Sequence, residues 1–282
     1  MSRQPLRLAI MAAERILADA GVASPRADAE LIAAHVLDVP RGKLMLTPLV
    51  DRQVVDAIGQ LVHQRAKRVP LQHLLGWAAM GAVTLEVGPG VFVPRPETEL
   101  LLEWGLGFIA DRQNPVVVDL CTGSGALALA LAAERPDAEV HAVEADHTAL
   151  AWARRNMADS KVRLHAGDVT DPDLFTEFDA GVDLVLCNPP YVPIGTVVPP
   201  EVGEHDPFKA VFAGSDGLTV IRHVVNLAAR LLKPGGAVAI EHDDTQRESV
   251  PELLATRKVL TSVTDHDDLA GRPRFATAVR RS

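Results

Sequence analysis

The chain has 282 residues, 48% of them hydrophobic, and its 28 Lys/Arg against 37 Asp/Glu give a formal net charge of −9. That length supports one large core and a smaller one, and the acidic balance argues against a protein whose affinity rests on many phosphate contacts. There is no apolar run of about 18 residues, no leader-like segment and only two cysteines, Cys121 and Cys187, so a soluble protein in a reducing, cytoplasmic setting is expected, with no membrane partner.

Charge is uneven along the chain. Residues 1–75 hold ten Lys/Arg and seven Asp/Glu, a net of +3, which leaves −12 for the remainder. In that first part, Leu6, Ile10, Ala13, Ile16 and Leu17 recur at a helical period. Ser24-Pro25 reads as an N-cap and first helical position. Asp51 opens a third helix with Val54, Val55, Ile58, Leu61 and Val62 on one face, ending in Arg65, Lys67 and Arg68 before Pro70. Residues 1–75 are therefore expected to form a small helical bundle domain. Val83, Leu85, Val87, Val91 and Val93 alternate around Gly88-Pro89-Gly90, a hairpin signal. Residues 76–95 are assigned to a hairpin connector and residues 96–282 to a second domain.

From residue 115 strands alternate with helices. The expected strands are 116–120, 139–143, 162–165, 183–187, 237–241, 258–263 and 275–280; helices are expected over 100–108, 126–134, 149–157 and 217–232. Elements of this length in this order imply an α/β fold, a Rossmann-like, doubly wound sheet of seven strands. The last two strands have no helix between them, so the last should run antiparallel.

Asp119 stands near the end of the first of these strands, and Cys121, Thr122, Gly123, Ser124 and Gly125 follow it and precede a helix. Glycines at such a place let backbone approach a ligand and aim a helix N-terminus at it. Glu144, 25 residues after Asp119, ends the next strand and can accept ribose hydroxyls. Asp168 and Val169 follow the third strand, and suit an adenine amino group and its ring face. Gly123, Gly125 and Ala128 also satisfy the looser dinucleotide pattern, so NAD stays open on this evidence alone.

Asn188-Pro189-Pro190-Tyr191 follows the apolar run Leu184–Cys187 at the carboxyl end of the sheet. Consecutive prolines fix the backbone and remove two N–H donors. The Asn188 side-chain carbonyl and the Pro189 backbone carbonyl remain as acceptors, suited to a planar NH2 group, and Tyr191 can lie against a flat amide or ring. These four residues are the candidate catalytic set. A methyl acceptor of this kind could be a carboxamide or the amino group of adenine in DNA or RNA. A nicotinamide-dependent oxidoreductase would explain the glycine loop and leave residues 188–191 idle. No metal is expected, because the ten histidines are scattered and no ligand spacing occurs.

At these residues the sequence resembles the HemK/PrmC family of N5-glutamine methyltransferases. The resemblance rests also on Pro70–Gly76, on Val93-Pro94-Arg95-Pro96-Glu97-Thr98-Glu99, on Asp206-Pro207 before Gly214-Ser215-Asp216-Gly217, and on Asp268–Arg272. It implies the seven-stranded methyltransferase sheet and S-adenosylmethionine as donor. It implies the glutamine of a Gly-Gly-Gln loop in class 1 peptide chain release factors as acceptor, with the helical domain helping to dock that protein. No direct nucleic-acid contact is expected, and a monomer is. In the family the cofactor loop maps onto Cys121–Gly125, the ribose acid onto Glu144 and the acceptor site onto Asn188–Tyr191. Two positions depart from the pattern: Cys121, where the family usually has Gly, and Asp243, where it often has Gly before a Gln.

Overall fold

The computed structural model describes residues 3–282. It divides into two compact units, one of residues 1–77 with 199–205, the other of residues 78–198 with 206–282.

In the first unit, β1 (Arg3–Pro5) pairs antiparallel with β2 (Leu49–Asp51) beside three helices, α1 (Leu6–Asp19), α2 (Pro25–Leu37) and α3 (Arg52–Ala66). The helical periodicity has a direct packing consequence: Leu6, Ile10, Ala13 and Leu17 of α1 are buried, and meet Ile32 of α2 and Ile58 and Val62 of α3 in one core. Pro25 does open α2, but Ser24 makes no side-chain capping bond, so proline's fixed φ is what marks the start. Short α4 (Leu71–Leu75) stops at Gly76, which adopts φ 80°.

The second unit begins within β3 (Trp77–Met80), at Ala78, and continues into β4 (Val83–Glu86); the last residue of β3 and the first of β4 flank Gly81-Ala82. The hairpin thus lies upstream of the one expected around Gly88–Gly90. The reason is steric. A Cβ on Gly88 would sit 2.8 Å from the Trp152 ring and one on Gly90 2.6 Å from Thr148 Cγ2. These glycines bring a non-strand segment hard against a helix, and Val91 and Val93 are buried there without joining a ladder.

Beyond α5 (Thr98–Phe108) come β5 (Val116–Leu120), α6 (Ala126–Glu134), β6 (Glu139–Glu144), α7 (His147–Asn156), β7 (Arg163–Ala166) and β8 (Val182–Cys187). Then follow α8 (Pro200–His205), which belongs to the first unit, and α9 (Phe208–Val211), α10 (Thr219–Leu231), β9 (Leu232–Glu241), α11 (Ser249–Ala255), β10 (Leu260–Asp267) and β11 (Pro273–Arg280). The sheet order is β10-β11-β9-β8-β5-β6-β7. All neighbours from β9 through β7 are parallel, and β11 runs antiparallel to both β9 and β10, as expected. Helix α11 was not anticipated from sequence; it crosses between β9 and β10, which point the same way and need such a connection.

Alternation along the strands sorts the two faces. Val117, Leu184, Leu186 and Ala239 face the α5, α6 and α7 layer, whereas Val118, Leu120, Val185, Cys187 and Ile240 face α10 and α11. Close approach on the first face relies on Gly105 of α5, where an added Cβ would lie 3.1 Å from Leu186 Cδ2. The chain leaves β5 toward β6 on one side and returns through β8 on the other, which makes the carboxyl ends of β5 and β8 the topological switch point.

Candidate functional site

Both sequence motifs end at that switch point. Leu120 of β5 is in register with Cys187 of β8, so the loop beginning at Cys121 and the segment beginning at Asn188 leave adjacent strands side by side.

The first loop is tightly determined. Thr122 N–H donates to the Val143 carbonyl at 2.9 Å, which ties the loop to β6. Gly123 N–H donates to Glu144 Oε2 and Asp146 N–H to Glu144 Oε1, both at 2.8 Å. Burial pushes the Glu144 carboxyl up, and these backbone N–H groups oppose the rise. Gly125 adopts φ 90°, the left-handed region that favours glycine, at the point where α6 begins against the flexible Met157 side chain.

Asp119 lies beneath the loop, almost wholly buried. Its Oδ2 accepts from Thr122 Oγ1 at 2.5 Å and from Ala128 N–H at 3.2 Å, while its Oδ1 is buried with no partner. Desolvation pushes this carboxyl up to about 7 against those two hydrogen bonds. Gly123 adopts φ 59°, and an added Cβ would meet nothing within 4 Å. A buried carboxylate oxygen lacking a donor, a glycine open on its Cβ side and an acid ending β6 fit a cationic nucleoside cofactor. Asp168 is exposed after β7, its Oδ1 accepting from Thr170 N–H at 2.8 Å, and Val169 is buried next to it.

The two departures from the family pattern have different consequences. Cys121 adopts φ 60°, the left-handed region that favours glycine, so a thiol there carries backbone strain. Asp243 has φ −68°, where glycine has no advantage, and its carboxylate caps a short 3-10 turn with Gln246 completing the reciprocal pair. Gln246 in turn donates to the Tyr191 carbonyl at 3.0 Å and to the Asp216 carbonyl at 3.2 Å.

The second segment is held from three sides. Asn188 Nδ2 donates to Thr98 Oγ1 at 3.0 Å, and the Thr98 hydroxyl donates to Glu241 Oε2 at 2.8 Å. Tyr191 donates its hydroxyl to Glu241 Oε1 at 3.1 Å. Among the described residues, neither Asn188 Oδ1 nor the Pro189 carbonyl accepts a hydrogen bond. Pro189 is buried, and Pro190 and Tyr191 are partly so. Burial drives the Tyr191 hydroxyl far up, so it stays protonated. Arg95 pairs with buried Asp206, which joins two motifs 111 residues apart.

Thr98 and Glu241 were not singled out from sequence. Thr98 lies within the Val93–Glu99 motif and Glu241 ends the expected strand 237–241, but their role depends on β9 lying beside β8 and on α5 beginning at Thr98, which no local pattern states. Asp119, Cys121–Gly125, Glu144 and Asn188–Tyr191 all gather at the switch point; Asp168 and Val169 stand at the end of β7, two strands away from β5.

The chain is similar to known proteins over nearly its whole length. Residues 9–76 match the family model described as PrmC N-terminal domain, and residues 88–199 match the one described as Methyltransferase small domain. The chain is 56% identical over 275 residues to a release factor glutamine methyltransferase of Mycolicibacterium smegmatis, covering 98% of each. It is 49% identical over 279 residues to that of Mycobacterium tuberculosis, covering 98% of this chain and 91% of the relative. Among solved structures, a 16S rRNA N2 G1207 methyltransferase of T. thermophilus in complex with AdoMet and guanosine superposes with a TM-score of 0.54 at 24% identity, over 73% of this chain and 50% of that one. This last likeness concerns the fold, and bears out the seven-stranded methyltransferase sheet. With S-adenosylmethionine as its donor, the chain belongs to the release factor glutamine methyltransferase family.

Proposed function

We propose that this protein methylates the side-chain amide nitrogen of the glutamine in the Gly-Gly-Gln loop of class 1 release factors, with Asn188, Pro189, Pro190 and Tyr191 forming the acceptor site. The observation that carries this reading is the state of Asn188: its NH2 group is committed to Thr98 while its carbonyl oxygen accepts nothing. That oxygen and the Pro189 carbonyl are two rigid acceptors for the two hydrogens of a carboxamide.

Bound S-adenosylmethionine supplies an electrophilic methyl group on a sulfonium. Asp119, Cys121, Thr122, Gly123, Ser124, Gly125, Glu144, Asp168, Val169 and Asn188 are the residues assigned to hold it. In this reading Glu144 accepts ribose hydroxyls with its remaining lone pairs, and Asp119 Oδ1 accepts from a cationic amino group.

An amide nitrogen is a poor nucleophile, because its lone pair is delocalised into its own carbonyl. The acceptor segment offers no basic nitrogen or carboxylate of its own, so it acts by orientation and by polarity. Alignment of the nitrogen with the methyl group can supply up to about 7–11 kcal/mol. As the nitrogen gains positive charge its N–H groups become better donors, and fixed carbonyl dipoles stabilise them without reorganising. The excess proton leaves after, or late in, methyl transfer. The helical domain of residues 1–75 is assigned to docking the release factor, and the protein is taken to act as a cytoplasmic monomer without direct nucleic-acid contact. Asn188→Ala tests the reading: cofactor affinity should persist while transfer falls by about 10²-fold or more, and full turnover would exclude it.

A further inference from the structure

Glu241 is buried at the end of β9, bonded to Thr98 and Tyr191 and joined to Asn188 only through Thr98, and methyl transfer as proposed makes no use of it. Its two carboxylate oxygens are both engaged, one by Thr98 and one by Tyr191. Thr98 is itself buried, and its hydroxyl has a single proton. While that proton goes to Glu241, the Thr98 oxygen can only accept. Of the two ends of the Asn188 amide, only the NH2 end can then face Thr98. The carbonyl end must point the other way.

We propose that Glu241 is a positioning residue for methyl transfer: acting through the Thr98 hydroxyl, it fixes the side-chain amide of Asn188 with its NH2 turned inward and its carbonyl oxygen presented to the acceptor. The proposal rests on Asn188 being part of the acceptor site. Reversal of the relay shows why the charge on Glu241 matters. A protonated Glu241 can donate to Thr98, which frees the Thr98 proton to turn toward Asn188. The Asn188 carbonyl is then drawn inward, and the NH2 group it leaves facing the acceptor repels another NH2 donor.

The surroundings place this carboxylate close to that balance. Desolvation pushes it up to about 7, opposed first by Thr98, then by the Arg274 guanidinium on β11 and by Tyr191, with Glu97 adding to the rise. Cys187, buried at the end of β8, is held protonated by the same burial and adds no charge. Arg274 Nε is buried without a hydrogen-bond partner, so the guanidinium reaches Glu241 through charge rather than through a bond.

The test uses the full-length protein with saturating S-adenosylmethionine and a Gly-Gly-Gln release factor. Thr98→Val removes the relay hydroxyl at nearly constant shape, Thr98→Ser restores it, and Glu241→Gln places an amide donor where only acceptors are wanted. The expected result is a fall in kcat of about 10–100-fold in Thr98→Val and in Glu241→Gln, with cofactor Kd within about twofold and most of the rate recovered in Thr98→Ser. Glu241→Gln should also lose the acid limb of the kcat profile. Wild-type kcat in Thr98→Val alongside a transfer-dead Asn188→Ala would overturn the relay and leave the acceptor site standing. Equal losses in Thr98→Ser and Thr98→Val, with lowered melting temperatures, would reduce Thr98 to a packing role and overturn it too. Full turnover in Asn188→Ala would instead remove the reading on which the proposal depends.

Discussion

Glu144 holds Gly123 directly: the carboxylate that ends β6 accepts the loop glycine's N–H at 2.8 Å. The acid expected to read the cofactor's ribose is thus also the clamp that shapes the loop beneath it. Asp119 has a similar double duty with Thr122, at 2.5 Å.

For Asp119, stability and binding should oppose each other. Its folded-state value of about 7 lies above the ordinary 3.8 because of burial. A raised carboxyl contributes stability that is fully present below about pH 4 and lost as pH rises through about 7, because only the unfolded chain ionises freely over that interval. Asp119→Asn keeps an acceptor for Thr122 and Ala128 and removes the ionisation. The variant should gain stability relative to wild type between about pH 4 and 7, by up to several kcal/mol, and lose cofactor affinity. Denaturant melts at both ends of that range, with calorimetric titration of the cofactor, check both signs.

Gly217 should tolerate no side chain. It adopts φ 72°, and a Cβ there would lie 2.1 Å from the Tyr191 carbonyl oxygen and 2.7 Å from Gln246 Nε2. Gly217→Ala should destabilise the protein by about 2–4 kcal/mol, from left-handed strain plus overpacking, and lower kcat by displacing Tyr191. Urea unfolding and steady-state rates measure the two effects.

In the helical unit, the Arg65 guanidinium sits between carboxylates, bonded to Asp28 and to Glu201 at 2.8 Å each. Arg68 also pairs with Glu201. Burial raises the Glu201 carboxyl, but Arg68 and Arg65 outweigh it and hold it at about 2. Arg65→Met should destabilise this unit by about 3 kcal/mol, since it leaves Asp28 buried and unpaired, and should speed amide exchange across residues 199–205. Because the Glu201 carboxyl is depressed, its contribution is present above about pH 4.5 and lost as pH falls toward 2.

Cys121→Gly should be nearly neutral for folding, within about 1 kcal/mol. Relief of left-handed strain and the added freedom of the unfolded chain oppose each other. Cofactor binding should be retained or tightened, and thermal shift with and without cofactor measures it.

Much of this was legible from sequence because apolar patterning carries it. Short continuous apolar runs, as expected of strands covered on both faces, located all seven strands of the large sheet, although β9 begins at Leu232 rather than 237 and β10 runs on to Asp267 rather than 263, and Leu6–Leu17 gave α1 by its helical spacing. The glycine loop and Asn188–Tyr191 were legible because rigid or permissive backbone at a strand end has few other uses. Distance along the chain concealed the rest. Thr98 and Glu241 lie 143 residues apart and meet only because β9 packs beside β8. Residues 199–205 join the helical unit through Glu201 although their neighbours in sequence belong to the other unit. Gly88 and Gly90 imitate a hairpin turn because glycine serves close approach as well as turning. Asp243 shows the converse, a position where the family's glycine is not required by φ.

The most direct test is mass spectrometry of a class 1 release factor incubated with this protein and S-adenosylmethionine, with adenine-containing RNA and DNA oligonucleotides as parallel acceptors. The expected result is a gain of one methyl group, localised by fragmentation to the glutamine side chain of the Gly-Gly-Gln peptide and absent with Asn188→Ala. Methylation of the oligonucleotides with the glutamine left unmodified, or a methyl group elsewhere on the release factor, would contradict it.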